Sequence, residues 1–144
     1  MLEQIFKNCL QMNSPTMLAL LRAFVHCVSP LGKRKITALI YHRVSLESSD
    51  FEHFSVKPDI FDWQMRLISK LFNVISIDQA VTFLDGGDLP PRAIVITFDD
   101  GYMDNYTHAF PIIKKYNLCA TIYVAGDAIK TGRIWNEDVS YAIL

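Results

Sequence analysis

The six residues AIVITF, 93–98, contain a single threonine and otherwise nothing polar, and they run without a break into Asp99, Asp100 and Gly101. A strand with one face in water alternates apolar and polar residues. A run without that alternation needs cover on both faces, which is what a parallel sheet layered by helices provides. Three other stretches read as strands: ITALIYH (36–42), NVISI (73–77) and CATIYVAG (119–126). Helical patterns lie between them. Pro58 suits a first helical turn, Asp59 and Asp62 sit near its positive end and Lys70 near its negative one, and Phe61, Met65, Ile68 and Phe72 recur on one face. DQAVTFLDGG reads as a short helix capped by Asp78 and stopped at Gly86. Tyr106, Ala109, Phe110 and Ile113 mark another, which Pro111 forces to begin late, near Thr107, or to kink. A last helix is expected near Asn136, and 44–57 reads as a polar loop. Alternating strands and helices predict an α/β fold of about four parallel strands with covering helices.

Weak helical patterns over 1–15 and 16–28, broken by Pro30 and Gly32, predict an N-terminal helical extension over residues 1–35, with the main domain at 36–144. The segment MLALLRAFVHCV is shorter than the ~20 apolar residues of a membrane span and is interrupted by Arg22 and His26. It has no clean signal-peptide pattern either. It reads as an amphipathic helix, packed on the domain or lying at an interface, so a cytoplasmic and an envelope-associated location both stay open. The net charge of −1 argues against a nucleic-acid partner held by bulk charge. Residues 1–43 nevertheless carry six cations against Glu3 alone, either a solvated face or a contact with a membrane surface or anionic polymer. Cys9, Cys27 and Cys119 form no C-x-x-C pair and predict reduced, mostly buried thiols.

The chemistry concentrates at Asp99 and Asp100. In parallel β-α folds reactive groups gather at the carboxyl ends of the strands, and these acids stand there. Two adjacent carboxylates repel; a divalent cation relieves the repulsion and leaves one free as a base, the arrangement of metal-assisted hydrolysis. From the acid pair alone, a helix-capping turn with no metal is the simpler reading. His42 ends the first strand, and two readings stay open: a cleft residue that could touch a metal, or a loop histidine bonded to backbone.

The stretch ITFDDGY resembles the first motif of the polysaccharide deacetylase family, carbohydrate esterases with a nodulation-deacetylase (NodB) homology domain. LIYHRVS, FDWQMRLISKLFNVISIDQA, AFPIIKKYNLCATIYVAG and IWNEDV match in the same way, so the resemblance runs from about Thr37 onward. It implies a distorted (β/α) barrel and removal of acetyl groups from a polysaccharide of N-acetylglucosamine type. It also implies Asp99 as catalytic base and Asp100 as ligand to a divalent metal, zinc or a similar ion. Trp135, Asn136 and Asp138 match a family stretch that could line a sugar groove, or pack and cap; Trp135 is a candidate cleft residue beside His42. Tyr41 and Arg43 are given no role. Trp63, Thr97 and Phe98 read as packing.

The sequence departs from the family at its later motifs, of which those carrying an arginine and a further histidine are expected to lie beyond Leu144. The family's second motif places two metal-binding histidines as H-x-x-x-H, whereas this chain has His26, His42, His53 and His108, no two of them four apart. Catalytic zinc typically takes three protein ligands plus water, so the site is expected to be incomplete in this chain. A partial barrel that is inactive alone is the expectation, with open sheet edges that invite self-association. The alternative is a non-catalytic remnant or partner-dependent module of the same fold. A phospho-acceptor receiver domain fits poorly, because CATIYVAG ends in neither the aspartate nor the lysine such a site needs.

Overall fold

The computed structural model describes residues 15, 16, 19, 20, 22, 23, 35–46, 55–86 and 88–132. In chain order these form β1 (Ile36–Tyr41), β2 (Arg43–Val44), β3 (Ser55–Val56), α1 (Pro58–Leu71), β4 (Asn73–Val74), α2 (Ile77–Leu84) and β5 (Ala93–Phe98). A π-helical turn (Asn105–Ala109) then runs into α3 (Phe110–Lys115), and β6 (Thr121–Ile122) and α4 (Gly126–Thr131) follow. The described positions between 15 and 23 are helical, and there the Arg22 Nε donates to the Lys70 carbonyl at the end of α1 (2.9 Å). Among the described residues no helix is long and apolar enough to cross a membrane.

β5 is the centre of a four-stranded parallel sheet. β1 pairs with it along its whole length. On its other edge β4 pairs with its first two residues and β6 with its last two. All six β5 residues are buried, and the pleat divides them between two cores. Ile94, Ile96 and Phe98 pack with Phe61, Met65 and Ile68 of α1 and with Ala109 and Ile113. Ala93 and Val95 pack with Ile75 and Ala80, flanked by Phe83 and Leu89. Burial of each large apolar side chain contributes about 1.5–3 kcal/mol, so an unbroken apolar strand is stable only in this sandwiched position. This is the slice of parallel β/α architecture that the sequence predicts.

Local details differ from the sequence expectations. The strand expected over 73–77 is confined to Asn73 and Val74, because Ser76 ends it by capping α2. The Ser76 Oγ accepts from the Gln79 N–H (3.2 Å) and the Gln79 Oε1 accepts from the Ser76 N–H (3.0 Å), a reciprocal capping box. Asp78, the expected cap, lies inside the first turn. The strand expected over 119–126 is paired only at Thr121 and Ile122, and α4 begins at Gly126 where no helix was expected. The helix expected near Asn136 lies outside the described residues. The expected polar loop holds a two-residue parallel ladder, Arg43 against Ser55 and Val44 against Val56. On α1, Leu71 rather than Phe72 completes the buried row. The Cys119 thiol is exposed rather than buried.

Pro111 sits in the first turn of α3, directly after the π-helical turn. Proline lacks an N–H, and in a regular helix its ring presses on the carbonyl four residues earlier. The helical turns begin by Asn105, before Thr107, so the start is not late, and the irregularity that the proline imposes falls in the wider turn over Asn105–Ala109 just before it.

Candidate active site

The site begins where β1 and β5 end together. Tyr41 and Phe98 are register partners, and the next residue along each strand is His42 and Asp99 respectively. The Asp99 N–H still donates to the Tyr41 carbonyl (2.9 Å), so the ladder reaches this point before the chain turns. The turn is tight: Asp100 has φ +70° and Gly101 φ +74°, and the Gly101 N–H donates back to the Asp99 carbonyl (2.9 Å). Aspartate enters the left-handed region more readily than most residues, though at a cost of about 1–2 kcal/mol. Such conformations cluster at functional sites. Gly101 is needed for space as well, since a Cβ there would lie 3.0 Å from the Val124 Cγ1.

Asp99 and Asp100 are both half-buried. Among the described residues neither carboxylate is engaged in a hydrogen bond or ion pair. They therefore do not cap the helix that follows. By the two-residue alternation of a strand, Asp99 continues the face of Val95 and Thr97.

Beneath this corner lies a rigid floor. The Tyr41 and Phe98 rings stack at 5.6 Å, and the Phe61 ring meets Tyr41 edge-on at 5.1 Å. The Tyr41 hydroxyl donates to the Gln64 Oε1 (3.0 Å), and burial pushes its pKa up to about 12. Tyr41, given no role from the sequence, supports the rung that carries Asp99.

The other wall of the corner is held by the helical turn after the acids. The Arg43 Nε donates to the Asp104 Oδ2 (2.8 Å), and the Arg43 guanidinium lies 4.8 Å from the centre of the Tyr102 ring. The Val44 N–H donates to the Asp104 Oδ1 (3.3 Å). With the Asn105 side-chain amide oriented so that its nitrogen faces the neighbouring acceptors, that nitrogen donates to the His42 carbonyl (2.9 Å) and to the Asp104 Oδ1 (3.2 Å). The His108 Nδ1 lies 2.9 Å from the Val44 carbonyl; a carbonyl only accepts, so this nitrogen carries the proton. Sequence reasoning missed Asp104, Asn105 and the use made of Arg43, because the pairing joins residues 61 positions apart and no local pattern announces it.

Of the sequence-predicted site residues, the structure places Asp99 and Asp100 after the end of β5 and His42 after the end of the neighbouring β1. Trp135, with Asn136 and Asp138, lies outside the described residues. Among the described residues no three His, Cys, Asp or Glu side chains converge as a metal site would require. The donors described here therefore do not make the three-ligand set of a catalytic zinc.

Comparison with known proteins agrees with this picture. The polysaccharide deacetylase family model matches residues 86–140, which include the acid pair. The Escherichia coli K12 poly-β-1,6-N-acetyl-D-glucosamine N-deacetylase is 32% identical over 104 residues, 71% of this chain and 16% of its own. Bacillus subtilis YxkH, whose name places it among the polysaccharide deacetylases, is 34% identical over 97 residues, 66% of this chain and 33% of its own. Among solved structures, the Streptococcus pyogenes deacetylase PplD in complex with acetate superposes with a TM-score of 0.63 at 30% identity. That match covers 69% of this chain and 46% of PplD.

Over this stretch the chain belongs to the polysaccharide deacetylase family. Its parallel strands and covering helices are part of the family's NodB-like barrel. The chain spans a third or less of the length of the E. coli and B. subtilis relatives and just under half of PplD. In this deacetylase setting, Asp99 and Asp100 stand at the carboxyl end of the central strand, which is where open α/β sheets hold their ligands.

Proposed function

We propose that this chain supplies the base-bearing corner of a polysaccharide N-deacetylase, a hydrolase that removes acetyl groups from a polymer of N-acetylglucosamine type. One observation carries the reading: two adjacent carboxylates end the central parallel strand and no described side chain claims either of them. The family match and the substrate printed in the name of the E. coli relative support the choice of reaction.

In this reading Asp99 is the general base. A water attacks the acetyl carbonyl, Asp99 takes the proton that the water gives up, and the carbon–nitrogen bond breaks as a proton is returned to the departing nitrogen, leaving acetate and the amine. A carboxylate free of other partners can accept that proton without first breaking a bond. Asp100 would be the ligand to a divalent cation, zinc in the first instance, whose chemistry when bound is to polarise the carbonyl. The donors among the described residues do not complete such a site, and the sequence has no H-x-x-x-H pair, so in this reading the corner needs further ligands from the rest of a deacetylase domain before it can turn over. His42, on the rung beside Asp99, is a candidate cleft residue.

A second reading, a partner-dependent module without its own activity, draws on the apolar residues left exposed at the sheet's outer strands. Ile40 of β1, Ile122 of β6 and the following Tyr123 and Val124 are all exposed. Such edges invite pairing with further strands, including self-association.

Acetate release separates the readings. The chain alone, supplied with zinc, is expected to release none from N-acetylglucosamine oligomers. The chain joined to the remainder of a deacetylase domain that carries the H-x-x-x-H pair is expected to release it. Turnover by the chain alone would contradict the incomplete site, and an inert completed domain would contradict the deacetylase reading.

A further inference from the structure

We propose that Asp104, Asn105 and His108 act together as a positioning clamp, with Asp104 at its centre, that locks the end of β1 beside the acid-bearing turn. The three residues lie within one turn of helix, immediately after Asp99–Asp100–Gly101. They hold four consecutive points on the opposite strand end: the His42 carbonyl, the Arg43 side chain, the Val44 N–H and the Val44 carbonyl. Asp104 and Asn105 are buried at 8% and 2% exposure. In low-dielectric surroundings a charge-assisted bond is stronger, and its loss leaves a buried group unsatisfied. The Asp104 carboxylate uses both oxygens. Oδ2 takes the Arg43 Nε, and Oδ1 takes the Val44 and Asn105 N–H groups.

The clamp coincides with the π-helical turn. That turn spans Asn105–Ala109, and Asn105 and His108 reach the same strand segment from within it. Wider turns of this kind occur frequently at functional sites. Beside the clamp, the last rung of the β1–β5 ladder, the Asp99 N–H to the Tyr41 carbonyl, and the Arg43 guanidinium over the Tyr102 ring also tie this strand end to the turn. The clamp therefore fixes His42 on the rung beside Asp99. As a role in catalysis it rests on the deacetylase reading; as a statement about the site's rigidity it does not.

Amide hydrogen exchange on the 144-residue chain is the test. The Asp99 amide reports the rung under the clamp. The Tyr123 amide, which donates to the Phe98 carbonyl (2.7 Å) on the opposite edge of β5, is the internal control. Asp104→Asn and His108→Ala are each expected to quicken exchange at Asp99 by about tenfold or more while leaving Tyr123 and the interior of β5 within about threefold. Asp62→Asn, which weakens the exposed Lys115–Asp62 pair (2.6 Å) on the outer helices, is expected to leave Asp99 unchanged. Unchanged protection at Asp99 in both clamp variants, or an equal rise at Tyr123, overturns the proposal. In the completed domain Asp104→Asn is expected to lower kcat with little change in KM. A completed domain inert even with Asp104 intact would count against the deacetylase reading and leave the exchange result standing.

Discussion

The stacked rings of Tyr41 and Phe98, paired across the last rung of β1 and β5, form the base on which the candidate site stands. Each is followed directly by a site residue, His42 or Asp99. The position of the acids is thus set by core packing one residue away, and disturbing that packing reaches the site.

Tyr41 also gives the fold a pH dependence. Its hydroxyl has a folded pKa of about 12, raised by burial above the ordinary value of 10.0. A raised pKa means that the folded state holds the proton more tightly than the unfolded chain does. The stabilisation is fully present below pH 10 and is lost as pH rises from there through 12. Tyr41→Phe is expected to keep the ring packing, forgo the bond to Gln64, and flatten the fall in stability between pH 10 and 12. Urea unfolding of both proteins across that window checks it.

Gly101→Ala is expected to be costly for two separable reasons. The residue's φ of +74° costs an alanine about 1–2 kcal/mol, and the new methyl meets Val124 at 3.0 Å. Val124→Ala should relieve most of the steric part, leaving its own Cβ at 3.3 Å, and leave the conformational part. Thermal melts of the two single variants and the double variant show whether the effects separate in this way.

Ser76→Ala is expected to destabilise the protein by about 1 kcal/mol, since it removes one half of the capping box on α2. Asp78→Ala removes only a charge near the positive end of the helix and is expected to cost about 0.3–1 kcal/mol. Denaturant midpoints of the two variants rank them; a larger loss at Asp78 would contradict the assignment.

The sequence made some of this legible and hid the rest for physical reasons. AIVITF is legible as a doubly covered strand because a solvated face would have left an apolar–polar alternation, and the stretch has none. The α1 face was readable from spacing, and Asp99 and Asp100 stood out because two acids after an apolar run have no packing use. Asp78 was mistaken for the α2 cap because Ser76 lay inside an apolar run that looked like strand. β2, β3 and β6 are two residues long, too short to impose a period. The Arg43–Asp104 pair depends on β1 and the helix after β5 meeting in space, which only the fold provides.

The central claim is that Asp99 is the base of an N-deacetylase site. Acetate release from N-acetylglucosamine oligomers by the completed domain, with Asp99 intact and as Asp99→Asn, tests it most directly. The substitution keeps the size of the side chain and removes its ability to take a proton, so the fold should persist while kcat falls by about 10²-fold or more. A folded Asp99→Asn variant that releases acetate at the rate of the unsubstituted domain would contradict the account.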